Sequence, residues 1–216
     1  MGIPAKQIGW GTESNLLWQI AKQLEQTACQ LCTLNENVQT ITGTSGTSGT
    51  AGTSGSSGTS GYVAYYGAFQ DNTTQTTAGN ENIPMKFDTT DISSCVSVTN
   101  DLSGKPTQLT IANTGVYDIQ FSAQIQKTQG GQAQKIYIWL AKNGTSIPES
   151  NTALTLANNN QLVVAAWNFF VSATAGDKFQ IMWRATDDHI ELVYDDPIPG
   201  VIPVIPSVIV TVNKVS

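Results

Sequence analysis

Residues 115–127, GVYDIQFSAQIQK, alternate between apolar and polar side chains along their whole length. The apolar set occupies the odd positions, namely Tyr117, Ile119, Phe121, Ala123 and Ile125. The even positions, from Asp118 to Gln126, are polar. Because successive side chains of a strand point to opposite faces, this pattern predicts a β-strand with one buried face and one face in water.

The same period of two recurs on both sides of this stretch, from residue 62 to residue 216. About ten short strand patterns are separated by turn signals such as Asn143-Gly144 and Ala175-Gly176-Asp177. No helical pattern interrupts them, so residues 62–216 are predicted to form an all-β sandwich, and a jelly roll is favoured. Two patterns, KIYIWLAK (135–142) and VVAAWNFF (163–170), are apolar on both faces. Such strands need cover on each side, and a subunit interface is one source of it.

The run DDPIPGVIPVIP, residues 195–206, interleaves four prolines with isoleucine and valine. Proline cannot donate to a β-ladder, so this run is predicted to be an extended loop with an apolar face. The loop either packs along an axis between subunits, which we favour, or forms an exposed binding tip.

A different period governs about residues 12–42, within an N-terminal segment of residues 1–42. Apolar side chains recur at heptad spacing in two rows, broken only by Thr27. The predicted seam consists of Leu17, Ile20, Leu24, Leu31, Leu34, Val38 and Ile41. Leucine at the first row with isoleucine or leucine at the second favours trimers or tetramers over dimers. We therefore expect a trimeric coiled-coil helix; the alternative is an amphipathic helix that packs on its own domain.

Two tryptophans accompany this helix but lie off its seam. Trp10 precedes the heptads and Trp18 occupies a position outside the seam. Large aromatic side chains outside the bundle are either free to dock on another protein or fold back over the helix ends. Both residues are candidates for an anchor.

Residues 43–61 have a third period, with glycine at every third position. These glycines are Gly43, Gly46, Gly49, Gly52, Gly55, Gly58 and Gly61. Only glycine fits at the axis of a collagen triple helix, so the unbroken phase predicts a collagen-like stalk, although the tract lacks proline. A flexible Gly/Ser linker has a similar composition. As a triple helix the tract would span about 56 Å, and as a random coil only about 23 Å.

Charge and composition exclude several classes of function. The formal net charge is -6, with nine lysines and one arginine, so no basic patch is available to bind nucleic acid. No run of about 18 apolar residues predicts a membrane span. The first 20 residues lack the pattern of a secretory signal, and we expect a protein that begins its life soluble, in a cytoplasm. The three cysteines, Cys29, Cys32 and Cys95, predict neither a disulfide framework nor a zinc site.

Catalytic motifs are not found in the sequence. The one histidine, His189, follows two aspartates and is interpreted as a solvated loop residue rather than a general base. One acidic cluster is a weak candidate for a calcium site, and it comprises Asp187, Asp188, Glu191, Asp195 and Asp196. We expect no enzymatic activity, no cofactor, and no catalytic or metal-ligating residue. A polysaccharide-degrading enzyme in fibre form is the rival that measurable glycan cleavage would reveal.

Four motifs in a fixed order carry a resemblance. They are NTGVYDIQFSAQI (113–125), IYIWLAKNGT (136–145), WNFFVSATAGDKFQIMW (167–183) and SVIVTVNKV (207–215). Together they resemble the C1q and tumour-necrosis-factor-like (C1q/TNF-like) jelly roll over residues 62–216. This resemblance implies a compact homotrimer, often set on a collagen-like stalk.

The N-terminal segment IGWGTESNLLWQIAKQLEQ (8–26) is similar to the leading segment of small structural proteins of tailed bacteriophages. That resemblance implies a virion protein, a head or tail fibre or spike, assembled in the host cytoplasm. Its N-terminus would attach to capsid or tail proteins and its C-terminal knob would face outward, towards a host-surface glycan or protein. The alternative is a spore-surface or cell-surface protein of bacteria with the same stalk and knob.

Overall fold

The computed structural model describes residues 64–216. The predicted helix of residues 1–42 and the stalk of residues 43–61 lie outside this range, with every seam residue, every stalk glycine, Trp10 and Trp18. The coiled coil, the triple helix and the anchor therefore remain predictions.

Residues 64–216 contain thirteen β-strands and no helix. Accordingly, none of these residues belongs to a helix that is long and apolar enough to cross a membrane. The strands are β1 (Tyr66–Asp71), β2 (Ile83–Pro84), β3 (Thr89–Ser94), β4 (Val96–Asn100), β5 (Pro106–Ile111), β6 (Gly115–Lys127), β7 (Gln134–Lys142), β8 (Thr145–Ser146), β9 (Thr152–Leu156), β10 (Gln161–Ala173), β11 (Lys178–Ala185), β12 (Ile190–Leu192) and β13 (Val208–Lys214).

These strands form two antiparallel sheets. In sheet A the order is β10-β6-β13-β1-β3, and β12 pairs with β6 beyond the end of β13. In sheet B the order is β4-β5-β11-β7-β8, with β2 paired to β11 and β9 paired to β7. The chain crosses repeatedly between the sheets, so strand neighbours are mostly not consecutive, as in a jelly-roll-like sandwich. The predicted all-β architecture is confirmed.

Strand β6 lies inside sheet A, between β10 and β13, and confirms the predicted strand of residues 115–127. All five apolar side chains at its odd positions are buried. They belong to one core cluster with the inward side chains of sheet B, including Ile138 of β7 and Trp183 of β11. Each fully buried large apolar side chain contributes about 1.5–3 kcal/mol relative to an exposed one. The alternation of β6 therefore places the core between the two sheets.

The hairpin between β7 and β8 confirms one turn signal. Lys142 pairs with Thr145, so the loop has only two residues, Asn143 and Gly144. Their φ angles are 52° and 81°. A turn with positive φ at both central positions matches the twist of the flanking strands, and Asn-Gly is the dipeptide that adopts it most readily.

One strand assignment differs from the sequence pattern. The pattern PMKFDT (84–89) suggests a strand, and Met85 and Phe87 are indeed buried. Their backbone N–H groups donate to Ile181 O (2.8 Å) and Pro106 O (2.8 Å), in isolated bonds outside a ladder. The strand proper is the polar segment β3, which begins at Thr89. As an edge strand that pairs with β1, it is specified by its partner rather than by an apolar pattern of its own.

The proline-rich run leaves sheet A between β12 and β13. We call residues 194–206 the proline arm. Its two legs are joined by hydrogen bonds between Asp195 and Ile205 (both N···O 3.1 Å), and Gly200 bends its tip with a φ of 73°. The predicted extended loop with an apolar face is confirmed, and in the single chain that face is exposed, as at Val201 (74%). Burial along an axis between subunits stays a prediction.

A buried carboxyl group lies where β1 meets β13. The side chain of Asp71 is fully buried, and its backbone carbonyl accepts a hydrogen bond from Ser207 N (3.0 Å), at the base of the proline arm. Burial, a proton shared with Asp88 and repulsion by Asp88 raise the pKa of Asp71 to about 6, although Lys86 at 3.4 Å and the Thr73 hydroxyl oppose the shift. Asp71 therefore titrates near neutrality.

Two leucines test the core. We expect Leu109→Ala, at a fully buried site in β5, to lower the free energy of unfolding by about 2–5 kcal/mol, since it removes packed methyl groups and leaves a cavity. Leu102→Ala is the matched control: this side chain is 108% exposed in the turn between β4 and β5, so we expect a change within about 0.5 kcal/mol. Urea denaturation measures both values, and equal effects would contradict the described core.

Asp71→Asn should change how stability depends on pH. In the wild type the unfolded chain releases this proton near pH 4 and the folded chain only near pH 6, so the free energy of unfolding falls as pH rises between these values. The loss amounts to about 1–3 kcal/mol, at 1.36 kcal/mol per pKa unit. The asparagine variant should lack this loss, as measured by denaturation at pH 4, 5, 6 and 7.

Asp101→Asn is the comparison variant, because the pKa of Asp101 is shifted in the opposite direction to that of Asp71. Burial raises the pKa of Asp101, but hydrogen bonds from Ser103, Lys105 and Thr107 outweigh it and hold the pKa below its ordinary value. Its stabilising contribution is present at neutral pH and is lost as pH falls through the lowered pKa. If the free energy of unfolding depends on pH in the same way in the Asp71→Asn and Asp101→Asn variants, the pKa of Asp71 is not raised.

Candidate functional site

A cleft opens on the outer face of sheet B, and its floor is built by β7 and β11. Tyr137 and Trp139 project from β7, and Arg184 projects from β11 directly opposite Tyr137 in the antiparallel register. Their neighbours Ile138 and Trp183 point the other way, into the core. The alternation of side chains thus sets two half-buried aromatic rings and a guanidinium group side by side on one surface.

The walls of the cleft come from segments that flank these strands. Asn80 and Asn82 precede β2, which pairs with β11 on one side. On the other side, Ser146 lies in β8, and Ile147 and Asn151 follow that strand. The cleft has a volume of about 560 Å³, within the range of about 300–1,000 Å³ that is typical of ligand pockets.

Hydrogen bonds hold the Asn80 wall against the floor. Arg184 Nη1 donates to Asn82 Oδ1 (3.1 Å) and Nη2 donates to Asn80 Oδ1 (3.4 Å). Asn80 N donates to Ala185 O (2.7 Å), and Asn80 Nδ2 donates to Thr186 O (3.2 Å). Asn80 has a φ of 56°, a left-handed conformation that asparagine tolerates better than most residues. This wall is therefore preorganised.

The aromatic part of the floor is held from the opposite wall. Trp139 Nε1 donates to Ser146 Oγ at 2.9 Å, which orients the indole ring towards β8. No described residue forms a hydrogen bond with the hydroxyl group of Tyr137. The cleft thus combines an oriented indole ring with a phenol whose polar end remains available.

The electrostatics of the cleft are unusual for an acidic chain. Arg184 is the one arginine in the sequence, and its partners are neutral amide oxygens. Within residues 64–216 it forms no ion pair, and no carboxylate lines the cleft. The positive charge is thus left without a counter-charge, and the site favours an anion.

Sequence reasoning did not identify this cleft. Its lining residues extend from Asn80 to Thr186, and no spacing rule connects them. The two-sided apolar pattern of residues 135–142 was interpreted as a sign of a subunit interface, whereas the structure places Tyr137 and Trp139 in the cleft. The lone arginine was the other available signal.

The candidate calcium cluster separates in the structure. Only Asp187, Asp188 and His189 bring ligand atoms within 4.8 Å of one another; Glu191 and the two aspartates of the proline arm are not part of the group. Nδ1 of His189 contacts the Asp187 carboxylate and lies 2.9 Å from Asp188 Oδ1. The hydrogen bond to Asp187 raises the pKa of His189 and lowers that of Asp187. These carboxylates therefore act as partners of a half-exposed imidazole.

A second surface lies on the outer face of sheet A. We call the outward side chains of β6, β10 and β13 the uncharged face, since the solvent-exposed ones include no lysine, arginine, aspartate or glutamate. Their one ionisable group, Asp118, is buried beneath Gln120 Nε2 (2.6 Å) and Asn168 Nδ2 (3.0 Å). Four large apolar side chains on this face are exposed: Leu162, Val164, Phe170 and Ile209.

No protein-family model matches the chain, and no curated protein matches it. The resemblances described above therefore depend on the motifs in the sequence. The geometry itself offers two surfaces, a cationic aromatic cleft on sheet B and an uncharged face on sheet A.

Proposed function

We propose that the chain is a subunit of a homotrimeric fibre or spike of a bacteriophage virion, on the head or the tail. Residues 1–42 form the particle anchor and coiled coil, residues 43–61 the collagen-like stalk, and residues 62–216 an outward-facing head that adsorbs to the host surface. The head is structural and not enzymatic. The observation that carries this proposal is the uncharged face of sheet A.

Strand order supports a C1q/TNF-like jelly roll for the head. Eight of the thirteen strands, namely β1, β5, β6, β7, β9, β10, β11 and β13, are numbered here one to eight in chain order, and the edge strands β3 and β4 are left out with the short β2, β8 and β12. Sheet A then contains the order 1-8-3-6 and sheet B the order 2-7-4-5. The first and last strands are neighbours, as expected for an eight-stranded jelly roll. This order agrees with the family that the four sequence motifs resemble.

The uncharged face favours other copies of the same chain as its partners. Side chains that lie next to a symmetry axis meet their own equivalents from the other copies, so a charged group there would face like charges. The face instead presents glutamine, asparagine, serine and threonine around exposed apolar side chains such as Phe170, which is 65% exposed. Depletion of charge with aromatic enrichment is typical of interface cores.

The segment that precedes the head supports three copies. The heptad pattern before Ala64 favours trimers or tetramers, and the Gly-x-y pattern favours three chains. Three parallel chains satisfy both patterns. Three heads on one stalk would meet at high effective concentration, so a modest contact area suffices to associate them. Trp10 and Trp18 would remain outside the bundle, available to contact capsid or tail proteins.

Sedimentation equilibrium of the full chain tests the trimer. We expect a mass of about 69 kDa, three times the 23.0 kDa chain, at micromolar concentration. A monomeric mass under these conditions would overturn the proposal.

Phe170→Asp tests the uncharged face. We expect self-association between heads to weaken at least about tenfold, because an unpaired carboxylate in a desolvated contact costs several kcal/mol. The readout is the concentration dependence of the melting temperature of the full chain, which should fall by several degrees in the variant. Leu102→Asp adds the same charge at a fully exposed site in the turn between β4 and β5 and should leave the melting temperature unchanged. Equal effects would exclude this face as the contact.

Electron microscopy with antibody against residues 64–216 tests the location. We expect label at a distance from the particle surface, on the head or the tail of intact virions. Label on bacterial spores or cell walls, with none on virions, would instead support a spore-surface or cell-surface protein with a similar head.

A further inference from the structure

We propose that the cleft over Tyr137, Trp139 and Arg184 is a binding site for an acidic saccharide, whose carboxylate or phosphate pairs with Arg184 while its sugar ring packs on the aromatic floor. The inference rests on the proposed function in that an outward-facing head would meet such a ligand on a host surface. It names the ligand class and the site, which lies on the sheet opposite the uncharged face.

The aromatic floor suits the amphipathic form of a sugar ring. A pyranose presents C–H groups on its faces and hydroxyl groups around its rim, so it stacks on an aromatic surface while its hydroxyls seek polar partners. Trp139 supplies the surface in a fixed orientation, because its N–H group is bound to Ser146. Aromatic side chains contribute large contact area with little loss of conformational entropy.

Neutral polar groups surround this floor at the positions that hydroxyl groups would reach. Asn82 uses its amide oxygen for Arg184 and keeps its amide N–H groups available. Among the described residues, the side chain of Asn151 has no hydrogen-bond partner. The hydroxyl group of Tyr137 is similarly available. An apolar surface with a few convergent polar groups is the usual composition of a small-ligand site.

Arg184 selects an acidic ligand among saccharides. Two of its five N–H donors are used on amide oxygens, and the remaining donors and the full charge are unmatched by any described carboxylate. Charge-assisted bonds from a guanidinium group to a carboxylate or phosphate are roughly twice as strong as neutral ones. Arg184 is the single cationic side chain that lines the cleft, and one cation is insufficient for a polynucleotide, which requires a row of phosphate contacts.

The first measurement screens the full chain on an array of sialylated, uronic-acid, phosphorylated and neutral glycans. We expect acidic glycans to bind at least about tenfold more strongly than their neutral counterparts. Calorimetry then compares two pairs in solution, sialyllactose with lactose and glucose phosphate with glucose. The first pair reports on carboxylates and the second on phosphates, so the preferred acid is read directly.

Three substitutions separate the roles of the floor residues. Arg184→Gln should lower affinity for the acidic glycan at least about tenfold, remove most of its salt dependence, and leave affinity for the neutral counterpart within about twofold. Arg184→Lys keeps the charge without the planar fork and should be intermediate. Trp139→Ala should lower the affinity for both glycans, since stacking does not depend on the acid.

Lys178→Gln is the matched control, because it removes one positive charge from an exposed position on the same strand, outside the cleft. It should leave affinity unchanged, and thermal unfolding should show that all variants are folded. The inference is wrong if no acidic glycan binds more strongly than its neutral counterpart, or if Lys178→Gln and Arg184→Gln weaken binding equally. Trimer mass and virion labelling are measured separately, so a failure here leaves the proposed function standing, and the reverse also holds.

Discussion

Five apolar side chains on one face of β6 pack into the core, where Phe121 meets Trp167 of β10 edge to face at a centroid distance of 4.6 Å. The burial of these five side chains determines which face of sheet A is covered, because a shift of the β6 register by one residue would expose all five to water. The same alternation turns the polar side chains of β6 outward. There they lie beside the outward side chains of β10 and β13 and form the uncharged face.

The inward side chains of sheet B pack against the same core. Because side chains alternate along each strand, this packing also determines which side chains lie on the outer face of sheet B. Ile138 and Trp183 are fully buried, so Tyr137, Trp139 and Arg184 must point outward. The short pairing of β2 with β11 then places Asn80 and Asn82 beside Arg184. The cleft and the uncharged face consequently lie on opposite sides of the sandwich. Under the proposals made above, self-association and ligand binding would not compete for surface.

The proline arm arises from an interruption of the ladder beside β6. Val193 N donates to Gln124 O (2.8 Å), and Gln124 N donates to Ser207 O (2.9 Å), so β12 and β13 reach β6 on either side of one residue. Between them the chain leaves the sheet and returns. Four prolines cannot donate to a ladder, which accounts for the detour. The buried Asp71 lies at the returning end, where its carbonyl accepts from Ser207.

Much of the fold of residues 64–216 could be predicted from local pattern. The alternation of residues 115–127, the Asn143-Gly144 turn and the exclusion of the proline run from a central strand are all confirmed, because each depends on the conformational preference of a short segment. The polar edge strand β3 was missed because its partner, and not its composition, makes it a strand. The heptads, the Gly-x-y tract and Trp10 and Trp18 remain predictions.

The cleft, in contrast, has no local signal. Tyr137 and Arg184 are 47 positions apart in the sequence, and only the antiparallel register of β7 with β11 makes them neighbours. The raised pKa of Asp71 likewise follows from burial beside Asp88, which no spacing rule reveals. Periodicity was sufficient to determine which faces of the strands are apolar, since a side chain's direction follows from its position along a strand. The pairing of distant strands was needed to decide which outward side chains meet, because that pairing depends on the packing of the whole core.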